Sequence, residues 1–156
     1  MSKTFSQILL LLLVIFPFLG MLDSGYVSYE KMTNALPVCR PPFQCAAVLR
    51  SPWINIGPAP IPYLGFMFYT TLLLLTASQF LGVAKLNIGA KKITLANIIF
   101  GFGIAGACFG AYILVLMAFI IKAWCLYCLL SAINCGIFFI LSFLNFKQKS
   151  PTPVLE

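Results

Sequence analysis

Histidine does not occur in the 156 residues, and acids occur three times, at Asp23, Glu30 and Glu156. Without histidine there is no Ser-His-Asp or Cys-His catalysis and no His-ligated zinc. Charge of either sign is scarce: 8% of residues carry it, against about 25% in an ordinary soluble domain. That scarcity and a mean hydropathy of +1.03 exclude a soluble globular domain. A hydrophobic fraction of 62% excludes disorder. The net charge of +7 is no nucleic-acid footprint, because the basic residues are scattered among apolar runs and form no stripe. No G-x-G-x-x-G follows a strand pattern, no Walker loop is present, and there is no internal repeat. The length fits one domain, residues 1–156. An integral membrane protein remains.

Four runs lack charge altogether: 4–22, 51–84, 93–121 and 123–146. Each reaches the roughly 18 residues that a spanning helix requires. They predict an all-α bundle of four transmembrane helices near 6–28, 61–82, 95–119 and 125–145. The first run has a signal-like start at Lys3 and Ile8–Phe16. It continues past Pro17 and Gly20 without an A-x-A site, so it reads as an uncleaved span. Four spans put both termini and the 83–93 connection on one side, with Lys3, Lys85, Lys91, Lys92, Lys147 and Lys149. The opposite side holds Lys31, Arg40, Arg50 and Lys122. The richer side is cytoplasmic by the positive-inside rule, which points residues 29–60 outward. That connection carries six prolines, together with Trp53, Ile54 and Ile56. So apolar a segment is expected to lie over the bundle as a lid, with a short helix over Phe43–Arg50. The tail from Gln148 reads as a frayed end.

Six cysteines are present, and the topology puts four of them outward: Cys39 and Cys45 in the connection, Cys125 and Cys128 in a C-x-x-C opening the fourth span. Residues i and i+3 share a helix face. The start of a helix offers partial positive charge and free N–H groups that favour a thiolate. Lys122 adds a cation nearby. Thiolate is the attacking species in disulfide exchange, so the two pairs are suited to exchange with each other. Structural disulfides clamping a lid are one alternative. A four-thiolate metal site is another, but the five residues between Cys39 and Cys45 exceed the usual metal-pair spacing of about 2–4. The reading assigns no metal. Cys108 and Cys135 lie inside spans and read as small hydrophobes.

Electrons released by a dithiol need an acceptor, and no histidine exists to bind haem. A lipid-soluble quinone, ubiquinone, menaquinone or similar, can enter a bundle from the bilayer. The outer half of the bundle is aromatic and apolar, with Tyr63, Leu64, Phe66, Phe68 and Tyr69 on span two and Trp124 and Tyr127 around the start of span four.

Three stretches together resemble the vitamin K epoxide reductase family in its bacterial, quinone-reducing form. They are C-R-P-P-F-Q-C-A-A-V-L-R-S-P-W from Cys39, I-P-Y-L-G-F-M-F-Y at 61–69 and W-C-L-Y-C-L-L-S-A-I-N at 124–134. The resemblance covers residues 6–146. It implies that Cys39 meets an external partner and that Cys45 passes electrons to Cys125. It further implies that Cys128 faces the quinone and that Ser51, Leu64 and Phe68 line the quinone site. Ser51 also fits a turn before Pro52, and ordinary span packing also accounts for Leu64 and Phe68. Animal members carry an asparagine where this chain has Ile61 and a tyrosine where it has Ala132, which favours quinone over vitamin K epoxide. Many bacterial members continue into a thioredoxin-like domain. Here the sequence ends at Glu156, so a separate thioredoxin-fold partner is expected.

The resulting expectation is a membrane thiol–disulfide oxidoreductase that supports disulfide formation, multi-pass in a bacterial inner membrane. The competing reading is a non-enzymatic membrane metal-handling or scaffold protein with structural disulfides. Asp23 sits about 27 Å along the first helix, at 1.5 Å per residue, and reads as an interfacial carboxylate. Gly106 and Gly110 form a G-x-x-x-G on span three that permits close helix approach.

Overall fold

The computed structural model describes residues 3–33, 35, 37, 39–56, 59–82, 85–88 and 91–149. Helix α1 spans Lys3–Met32. Next come the short helix α2, Cys45–Arg50, and a 3₁₀ turn, Pro52–Ile54. Strands β1 (Asn55–Ile56) and β2 (Ala59–Pro60) pair antiparallel and lead into α3, Ile61–Phe80. Strands β3 (Lys85–Ile88) and β4 (Lys91–Thr94) form a second antiparallel pair with Lys85 opposite Thr94. Helix α4, Leu95–Val115, widens into a π-helical turn at Leu116–Ile121, and α5 runs Leu126–Lys149.

Among the described residues, four helices are long and apolar enough to cross a membrane. Two expectations need correction. The fold is not purely α, because two short β pairs form in the connections. The helices also outrun the apolar runs: α1 continues to Met32 and α5 to Lys149, so Gln148 is helical. Helix continuity needs only backbone hydrogen bonds, and polar positions satisfy those as well as apolar ones. Residues 150–156 of the expected tail lie outside the described residues.

The helices pack chiefly as α1 on α3 and α4 on α5, with α1 also touching α5. Large apolar side chains such as Leu11, Leu22, Met67, Leu74, Phe119 and Ile140 face outward. Hydrocarbon solvates that surface, so packing inside must come from close fit and polar contacts. Both are present. Gln79 and Asn145, 3% and 2% exposed, exchange two hydrogen bonds. Gln79 Nε2 donates to Asn145 Oδ1 at 3.3 Å, and Asn145 Nδ2 donates to Gln79 Oε1 at 3.1 Å. This pair joins α3 to α5 at the end away from the C-x-x-C. Beside Pro17, whose ring removes one helical donor, Asn134 Nδ2 donates to the Phe16 carbonyl at 3.1 Å and ties α5 to α1.

Glycines let α4 approach its neighbours. A Cβ at Gly110 would lie 3.4 Å from Ala132 Cα, and one at Gly106 would lie 3.0 Å from Phe68 Cζ and 3.5 Å from Cys135 Sγ. Gly106→Leu should therefore push Phe68 aside and destabilise the bundle by about 1–3 kcal/mol, the usual range for overpacking. Thermal melting in detergent measures this, and an unchanged Tm would refute the packing role of Gly106.

At the other end, the stretch between α1 and α3 packs onto the bundle. Val48, Leu49 and Ile54 are buried in one cluster with Val27, Ile113, Met117 and Cys125. Lys31 Nζ holds the stretch to α1, donating to the Leu49 carbonyl at 3.3 Å and to Asn55 Oδ1 at 3.1 Å.

Candidate active site

Cys39 and Cys45 are joined by a disulfide, with Cα atoms 6.0 Å apart. Cys45 is 1% exposed at the start of α2, and half-buried Cys39 packs against the same cluster. Cys125, 0% exposed, belongs to that cluster too. The residues just before these two cysteines are bonded to each other: the Gln44 N–H donates to the Trp124 carbonyl at 2.8 Å. The chain thus brings the α2 start and the α5 start side by side, one sulfur from each pair in a shared apolar setting.

The turn that delivers Cys125 is made at Lys122, whose φ of 54° and ψ of 31° are left-handed. After it, Cys125 precedes the first residue of α5 and acts as its cap. The Cys128 N–H points at Cys125 Sγ over 3.4 Å, a sulfur standing where a cap oxygen usually sits. The Cys125 thiol is held below its ordinary range, first by a hydrogen bond from the Cys128 side chain and also by the backbone N–H groups of Cys128 and Tyr127. Burial and the Asp23 charge oppose that lowering. Lys122, read from the sequence as an added cation, is exposed at the turn, and hydrogen-bond donors do the lowering instead.

Cys128 is turned the other way. Its side chain lines a cavity of about 340 Å³ between α1, α3, α4 and α5, to whose wall Leu49 and Ile54 also contribute. Leu64 and Phe68 line the same cavity, as do Ile61 and Ala132. Ser51 does not. Its hydroxyl accepts from the Trp53 N–H at 3.4 Å and caps the 3₁₀ turn, which is the turn role a serine before Pro52 fits.

Residues 11–143 match the vitamin K epoxide reductase family. The chain belongs to this family. It is 34% identical over 125 residues to the thiol-disulfide oxidoreductase LTO1 of Arabidopsis thaliana, a match covering 77% of this chain and 32% of that protein. The chain thus spans about a third of the length of that relative.

Within this vitamin K epoxide reductase fold, sequence reasoning passed over part of the cavity wall. The Tyr69 hydroxyl, on a side chain 2% exposed, lies 3.2 Å from the Ser131 carbonyl, 2.9 Å from Ser131 Oγ and 3.0 Å from Cys135 Sγ. Cys135, read as a small hydrophobe, is therefore part of a polar cluster on the wall. Its signal was spacing: Cys128, Ser131 and Cys135 stand at i, i+3 and i+7, one face of a helix. Asp23, read as an interfacial carboxylate, also lines the cavity. Cys108 is exposed on α4 and away from the site.

Proposed function

We propose that the protein is a membrane thiol–disulfide oxidoreductase that takes electrons from a separate thioredoxin-fold partner and delivers them to a quinone. The observation that carries this reading is the division of labour between the C-x-x-C sulfurs. Cys125 is buried beside Cys45 of the other pair, while Cys128 opens on an apolar cavity among four spanning helices. Cys39 and Cys45 receive the partner's electrons, their disulfide being exchanged for the partner's. The Cys45 thiolate then attacks an oxidised Cys125–Cys128 pair at Cys125, releasing Cys128, and Cys39 resolves the resulting bridge. Each step is a thiolate attack through a mixed disulfide.

A quinone takes up two electrons and two protons on becoming a quinol. Leu64 and Phe68 would hold its ring, and the cavity offers an apolar wall broken at few points by polar groups, the pattern of small-molecule sites. Apolar Ile61 and Ala132 favour a quinone over vitamin K epoxide. The stretch over the bundle serves as a lid that keeps water from the exchange. We place both termini and the β3–β4 connection in the cytoplasm and the redox cysteines on the periplasmic face of a bacterial inner membrane, following the lysine distribution.

The test is quinol formation in detergent from a ubiquinone or menaquinone analogue and a reduced thioredoxin-fold protein. Quinol should form in proportion to partner disulfide. Cys45→Ala should stop partner oxidation. A wild-type protein that forms no quinol with either analogue would overturn the proposal.

A further inference from the structure

Acid–base groups are rare in this chain. It holds no histidine, and Asp23 and Glu30 are its acids outside the C-terminal residue. Yet oxidising a dithiol releases two protons, and the cavity that Cys128 lines is walled mainly by apolar side chains. Asp23 lies on α1 in the wall of the cavity that Cys128 lines. Its height on α1 is set three residues on, where the Tyr26 ring meets the Tyr127 ring with centroids 5.4 Å apart, so α1 is docked against the first turn of α5. The cavity's hydroxyls are already engaged. Ser24 Oγ donates to the Gly20 carbonyl at 2.7 Å, and the Tyr69 hydroxyl is bound to Ser131 and Cys135. A carboxyl within a membrane span is costly and points to a function.

We infer that Asp23 carries the proton between Cys128 and the electron acceptor in this cavity. This rests on the quinone reading above. The Asp23 carboxylate takes the proton from the Cys128 thiol as the Cys125–Cys128 bond forms. It gives that proton to a carbonyl oxygen of the quinone and is a carboxylate again. The dithiol loses two electrons and two protons, and the quinone gains the same number. Asp23 passes on the Cys128 proton, and the Cys125 proton completes the balance. The ionisable groups sharing the cavity with Asp23 are Tyr127, Cys128 and Cys135 on α5 and Tyr69 on α3. Cys125 and Tyr26 stand beside it, and α4 and the α2 stretch contribute none.

Three variants test this in detergent: Asp23→Asn, Asp23→Glu and Asp23→Ser. Asp23→Asn should lower kcat about 100-fold, within the range for losing a general acid–base group. It should remove the acidic limb of the kcat–pH profile and leave quinone affinity, read by fluorescence quenching, unchanged. Asp23→Glu should restore most of the rate, and Asp23→Ser should not. Infrared difference spectra, taken while glutathione disulfide oxidises the C-x-x-C with no quinone present, should show a carboxyl band that Asp23→Asn lacks. A folded Asp23→Asn or Asp23→Ser with wild-type kcat and pH profile would overturn the inference, as would a spectrum without that band. Failure of the wild type to reduce quinone would overturn the quinone reading instead, and the band would still report whether Asp23 answers to the C-x-x-C.

Discussion

Cys128→Ala protein, isolated under mild oxidation, will carry a Cys45–Cys125 bridge and will have lost quinone reduction. Cys125 is left as a lone thiol, buried beside Cys45 and held in place by the Gln44–Trp124 bond. Cys45 is already in a disulfide with Cys39. A Cys125 thiolate attacking Cys45 frees Cys39, and with no Cys128 to resolve the product, blocking Cys39 strands it. The Cα atoms of 45 and 125 need come only within roughly 7 Å. Cys39→Ala should strand the same bridge from the other side, because the Cys45 thiol attacks oxidised Cys125–Cys128 and nothing frees it. Cys45→Ala should instead leave Cys125–Cys128 oxidised and cut off from the partner.

The pH dependence of trapping has a definite sign. The Cys125 thiol is lowered, chiefly by the hydrogen bond that the Cys128 side chain supplies. With Cys128 intact, exchange at Cys125 should persist below the pH where an ordinary thiol, with a pKa of about 8.5, ceases to react. In Cys128→Ala that side-chain donor is gone, so trapping should need a higher pH. Disulfide mapping by mass spectrometry after thiol blocking reads both results. Finding only Cys39–Cys45 in Cys128→Ala and only Cys125–Cys128 in Cys39→Ala, with turnover intact, would mean the pairs never exchange.

Parts of this site are readable without a structure because they are marked by rare residue types. Two cysteine pairs stand out in any sequence, and runs without charge announce spanning helices of about the right length. The faces of those helices are harder. Helix α3 is apolar all round, so no periodicity separates the cavity wall from the lipid side. Leu64 and Phe68, which line the cavity, look no different in sequence from Met67 and Leu74, which face outward. Depth along a helix says nothing of direction around it, so the sequence does not show that Asp23 lines the cavity. Ser51 is ambiguous in sequence because a serine before proline serves a turn as readily as a ligand, and here its oxygen accepts from the Trp53 N–H. The Gln79–Asn145 pair joins positions 66 apart, and no local pattern links them. Strands β3 and β4 lie in a short lysine-bearing segment, where charge marks sidedness more plainly than alternation marks a strand.

Gly20→Ala should destabilise the protein more than an exposed helix glycine would, because the place for a side chain is already taken. A Cβ on Gly20 would fall 2.6 Å from Cδ1 and Cζ of the Tyr69 ring, inside any van der Waals contact. A flexible neighbour would swing aside, but this ring is held at its far end. Its hydroxyl is bonded to the Ser131 carbonyl, to Ser131 Oγ and to Cys135 Sγ. Either α1 retreats from α3, opening the most extensive packing it has, or Tyr69 moves and leaves buried polar groups on α5 unpaired. Overpacking costs about 1–3 kcal/mol and an unsatisfied buried partner about 1–3 more, so a loss of about 2–6 kcal/mol is expected. The intrinsic preference of a helix for alanine over glycine, about 1 kcal/mol, acts in the opposite direction and is too small to offset it. Tyr69→Leu removes the ring and its bonds together. Combined with Gly20→Ala, it should cost little beyond Tyr69→Leu alone, giving a large coupling energy in the double-mutant cycle. Melting of the four proteins in one detergent measures it, and additive losses would show that Gly20 and Tyr69 do not share that space.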